Sequence, residues 1–147
     1  MSLLTLMAQN ERTIRELYLR YSSKFSEDSE LWEKLAQDEE MHANWLTIQQ
    51  NNLDQGLVSI DNKRFNESAI KTFTDYLKIE MDRLDAGEVS LINALSVSLY
   101  IEQSLIEHKY FEVLDSDSEE LKNTLTKIKK DTEAHSKRIK EIWLKYS

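Results

Sequence analysis

The stretch DEEMHANWL, residues 38 to 46, puts an acid and an imidazole where a helix would carry its apolar stripe. Glu39, His42 and Leu46 share a helical face with Trp32 and Leu35. Glu39 and His42, three residues apart, stand about 60° from each other around the axis, so both address one point in a core. An unpaired buried charge is costly, so such a pair needs a hydrogen-bond partner, a proton or a metal. Other polar residues hold inward positions of the same kind. Glu11 lies four after Met7 and three before Ile14, Glu102 three after Leu99 and four before Ile106, and His135 seven after Ile128 and four before Ile139. Thr132 stands three before His135, the place Glu39 holds before His42. Asp131 and Glu133 are each rotated about 100° from that direction.

A Glu-x-x-His alone would also suit a buried Glu–His hydrogen bond, and Glu11 or Glu102 alone would read as a surface acid. Five such residues on four inner stripes point instead to one convergent polar site. The chain repeats this layout: in each half an inward glutamate on one helix precedes, at nearly the same interval, an inward histidine on the next. His108, about 120° around the axis from Glu102, falls on a surface direction. Tyr18, Tyr21, Tyr100 and Tyr110 could relay electrons beside a metal, but aromatic stripe residues ordinarily pack a core.

Helices must position these residues. Proline is absent and glycine occurs twice in 147 residues, so little but short polar turns interrupts a helix. The chain is long enough for one domain with a sizeable core, residues 1–147, and short for two. Apolar spacing predicts helices from about Leu3 to Phe25 and Glu30 to Asn52, with Gly56 as the break. A shorter amphipathic helix carrying Ile70, Phe73, Leu77 and Leu84 stops near the sequence DAG. Another runs from about Val89 to Leu114, and DSDSEE, 115 to 120, opens a last one carrying Leu121 through Tyr146. Two helix pairs with short turns and a long connection make an all-α four-helix bundle, the shorter helix serving as the crossover. That crossover helix could pack on its own bundle or on a second copy of the chain.

The formal charge of -8 excludes a duplex-binding surface, since the one basic cluster, KIKK at 127 to 130, sits among acids. Cysteine is absent, which removes disulfides, thiolate nucleophiles, cysteine-ligated zinc and iron–sulfur clusters. No apolar run is long enough to span a membrane and the start has no basic segment, so a cytoplasmic protein is expected.

The five residues on their four helices resemble the ferritin-like di-iron carboxylate bundles, and among them the rubrerythrin group, whose pattern is one glutamate on each of two helices and Glu-x-x-His on each of the others. The resemblance spans nearly the whole chain. It implies a ferritin-like four-helix bundle with a long crossover, and it implies Glu11, Glu39, His42, Glu102 and His135 as metal ligands. The metal implied is iron, one ion or two, with manganese or zinc also suited to oxygen and imidazole donors. The chain departs from the pattern at Thr132, where the second paired motif has glutamate. Three carboxylates leave two divalent ions short of neutral, so two metals would require an added hydroxide or anion. Without cysteine there is no rubredoxin-type iron, and electrons would arrive from an external donor protein. The resemblance thus implies a non-haem iron oxidoreductase acting on peroxide or dioxygen. The alternatives are a metal-binding bundle without catalysis, and a metal-free interaction module using Trp45, Trp143 and the acidic surface.

Overall fold

The computed structural model describes residues 3–61, 67–107, 115–116 and 118–147. The chain is all-α apart from one short bridge: α1 Leu3–Lys24, α2 Ser29–Asp54, α3 Glu67–Asp85, α4 Leu91–Glu107 and α5 Glu119–Tyr146. Leu4, Met7, Ala8, Ile14, Leu17, Tyr18 and Tyr21 form the buried face of α1 at three- and four-residue spacing. A 3-10 turn at Ser26–Asp28 folds the chain back, and α2 returns along α1, with Arg15 opposite Glu40 and Arg12 opposite Thr47.

Both glycines end helices. Gly56 and Gly87 have φ of 74° and 75°, a conformation that costs glycine little. Gly56 N donates to Leu53 O and Leu57 N to Asn52 O, and Gly87 N donates to Leu84 O and Glu88 N to Arg83 O. These paired bonds satisfy the carbonyls that a helix end orphans.

From the end of α2 the chain runs back beside α1 as α3. Thr74 meets Asn10, and Asp85 meets Arg20, so α3 is parallel to α1. Ile70, Phe73 and Leu77 are buried in the core of this same chain, and Tyr76 packs edge-on against Tyr100 of α4. The crossover helix thereby delivers the chain to the opposite end of the molecule. Ser90 and Asn93 cap α4 reciprocally, Asn93 N donating to Ser90 Oγ and Ser90 N to Asn93 Oδ1, and α4 descends against an ascending α5. The result is two antiparallel hairpins, α1–α2 and α4–α5, each closely packed within itself. The hairpins approach each other less closely, mainly through α2 and α5.

Three expectations need correction. The helix α4 starts at Leu91 and not Val89, because Ser90 is its cap; its expected continuation to Leu114, with His108 and Tyr110, lies outside the described residues. The stretch from Asp115 does not open the last helix. Asp115–Ser116 pairs antiparallel with Ile60–Asp61 as β2 and β1, and α5 begins at Glu119, capped by Ser118 Oγ accepting from Leu121 N at 3.2 Å. Tyr100 is also not a core residue, being 55% exposed. No helix among the described residues is long and apolar enough to cross a membrane.

Candidate metal centre

All five residues singled out from the sequence meet between the hairpins. Glu11 comes from α1, Glu39 and His42 from α2, Glu102 from α4 and His135 from α5, and all are buried. They form two groups that share Glu39: Glu11, Glu39 and His42, and Glu39, Glu102 and His135, the potential ligand atoms in each lying within 4.8 Å of one another. Glu39 stands between the two imidazoles, with Oε2 3.6 Å from His42 Nδ1 and Oε1 3.3 Å from His135 Nδ1. Glu11 Oε1 is 3.9 Å from His42 Nδ1, and Glu102 Oε1 is 3.4 Å from His135 Nδ1. The two rings stack at 6.0 Å.

The outer nitrogens of both histidines are held by carboxylates. His42 Nε2 lies 2.8 Å from Asp131 Oδ2 of α5, and His135 Nε2 lies 2.9 Å from Asp38 Oδ2 of α2. Each hairpin therefore clamps the histidine of the other. Since an ionised carboxylate only accepts, each imidazole donates from Nε2, and in its neutral form it turns the Nδ1 lone pair toward the centre. A metal-ligating histidine is fixed by such a partner, which sets its tautomer and makes it a better donor. Lys34 holds the other oxygen of Asp38 at 2.7 Å. Tyr18 donates to Glu102 Oε1 at 2.9 Å, fixing that carboxylate from the far side.

The inward atoms remain unsatisfied. Among the described residues, nine buried side-chain atoms lack a hydrogen-bond partner, and six of them are here: Glu11 Oε2, both oxygens of Glu39, Glu102 Oε2 and Nδ1 of both histidines. Each such orphan costs about 1–3 kcal/mol, more when charged, so a cluster of this size is costly unless protons or a metal ion satisfy it. Two carboxylates and an imidazole per group, with their outer faces already bonded, form a donor set that fits a divalent ion of the iron, manganese or zinc type.

Without metal, protons must carry the load. Burial pushes Glu11 well above the usual carboxylate range, and the adjacent Glu39 adds to this. Burial alone would lower His42, but Glu11 and Glu39 outweigh it and bring it to about 11. His135 likewise rises to about 12 against its burial, through Asp38, Glu102 and Glu39. Burial would raise Asp38, yet His135 and Lys34 hold it at about 2.

Thr132 is buried at the place expected, but its hydroxyl donates to Ile128 O at 2.8 Å and is thereby committed to its own helix. Asp38, Asp131 and Tyr18 are partners that stripe reasoning did not assign. Asp131 does point away from the direction of Thr132, and that rotation is what brings it to the outer nitrogen of His42. Its signal in the sequence is the recurrence of aspartate immediately before both Glu39 and Thr132. Trp45 and Trp143 are engaged within the chain: Trp45 packs on the His42 ring at 5.7 Å with Lys127 over its own ring, and Trp143 Nε1 donates to Ser96 Oγ. Comparison of the chain with protein-family models, with curated proteins and with solved structures finds no match.

Proposed function

We propose that the protein is a ferritin-like, rubrerythrin-like metal-binding bundle, in which Glu11, Glu39, His42, Glu102 and His135 hold iron that reacts with peroxide or dioxygen using electrons from an external donor. The observation that carries this reading is the set of six orphaned donor atoms facing one another in the core while the outer faces of the same side chains are bonded. The order of the helices supports it as well: one antiparallel pair, a crossover along its side, then a second antiparallel pair, with one glutamate helix and one histidine helix in each.

When bound, iron would supply one-electron redox chemistry and a Lewis acid. The chain does the rest. Glu39 is placed to be shared by both groups, and Glu11 and Glu102 each serve one. Asp38 and Asp131 orient the imidazoles by accepting hydrogen bonds from their Nε2 atoms. Tyr18 fixes Glu102 and keeps an O–H at the edge of the site, and Trp32 and Tyr21 pack on its ring at 5.8 and 6.4 Å, excluding water from that side.

The test is metal analysis of protein purified without chelators, followed by peroxide consumption with a supplied electron donor. Bound iron with donor-dependent turnover supports the oxidoreductase. A second reading, metal binding without catalysis, is favoured by Thr132, which offers the centre no oxygen; bound metal with no turnover would establish it. Protein that takes up no metal under any condition would overturn both.

A further inference from the structure

The centre is built on a twofold pattern and breaks it at one position. Asp38, Glu39 and His42 on α2 correspond to Asp131, Thr132 and His135 on α5, and the two clamps cross over at nearly equal lengths, 2.8 and 2.9 Å. Glu11 on α1 corresponds to Glu102 on α4. Glu39 places one oxygen toward each imidazole, and its counterpart across the centre would do the same. That counterpart is Thr132, buried, with its hydroxyl spent on Ile128 O. Position 132 therefore supplies no carboxylate to either group, while His42 Nδ1 and His135 Nδ1 stay unpartnered and buried.

What glutamate has beyond threonine is, in essence, a carboxylate group. From this we infer that the metal-loaded centre takes up a small monocarboxylate from solution, of formate or acetate size, on the side of Thr132. This inference rests on the metal-binding reading and adds a ligand class to it. A carboxylate matches what is missing in both charge and donor atoms: with Glu11, Glu39 and Glu102 it brings the inner set to four, the number that balances two divalent ions. Thr132 is buried, which restricts the ligand to a small one.

Cobalt(II) serves as the metal, its visible absorption reporting the ligand set without any turnover. Formate, acetate and benzoate are titrated into cobalt-loaded wild type, Thr132→Val and Thr132→Glu. Saturable spectral change is expected with formate and acetate and not with benzoate. It should persist in Thr132→Val, which keeps the size of the side chain and loses only the hydroxyl. In Thr132→Glu, where the chain supplies the carboxylate itself, the change should disappear or require at least tenfold more formate. Cobalt-loaded wild type with no response to formate, a response to phosphate in place of formate, or an undiminished response in Thr132→Glu overturns the inference and leaves the metal centre standing. Failure of wild type to bind cobalt at all removes the metal centre, and the inference with it.

Discussion

His42 has both ring nitrogens committed to opposite purposes, one to Asp131 and one to the centre, and it is fully enclosed. His42→Ala should lose most bound metal while helix content by circular dichroism is retained, because the apolar stripes continue on both sides of the site. Unchanged stoichiometry would place the metal elsewhere. Asp131→Asn is subtler. An amide can still contact the ring but no longer accepts as a charged group, so metal affinity should fall about 10- to 100-fold with the fold intact; competition with a chromophoric chelator measures it. The five inward residues were legible because helical periodicity reports direction toward a core. Asp38, Asp131 and Tyr18 were not, because their role depends on which helix lies opposite, and spacing along one helix carries no information about its neighbour.

The crossover shows what an element contributes without touching the chemistry. Leu77 is fully buried on α3, which packs against α1. Leu77→Ala should destabilise the protein by about 2–5 kcal/mol in a denaturant titration, with metal stoichiometry unchanged. A loss of metal at full stability would mean that α3 shapes the site directly. Helix existence and order could be read from the sequence for all five helices, since each carries a long periodic stripe and the ends of α2 and α3 coincide with Gly56 and Gly87. The start of α5 could not. Asp115 and Ser116 resemble helix-opening residues locally, and only their pairing with Ile60 and Asp61, far away in the chain, takes them out of the helix. Whether α3 would pack on its own chain was equally invisible, because an amphipathic face does not name its partner.

For the molecule as a whole, protons and metal compete for one centre. In the metal-free protein His42 and His135 titrate near 11 and 12, well above the unfolded value of about 6.5, and Glu11 is raised too. A raised folded pKa gives stability that is complete below the unfolded pKa and lost as pH climbs toward the folded one. The metal-free protein should therefore lose stability between pH 6.5 and 9, seen as a melting temperature that falls with pH. Asp38, held at about 2, works oppositely, its stabilisation lost as pH falls below about 4. Metal needs both Nδ1 atoms deprotonated, so its stabilising effect should grow over the range in which the metal-free protein weakens. Melting curves with and without metal at pH 6, 7.5 and 9 check this; a metal-induced rise that shrinks with pH would contradict it. The separation of the two hairpins has a kinetic counterpart. Each hairpin holds its own close apolar packing, whereas what joins α2 to α5 at the centre is largely polar and crossed, each clamp running from one hairpin to the other. The hairpins are thus candidate units of sub-global opening, able to part and re-engage without melting. Metal would act as a clasp between them, and amide hydrogen exchange should slow around Asp38–His42 and Asp131–His135 together, in both units at once, far more than at the outer turns of the same helices.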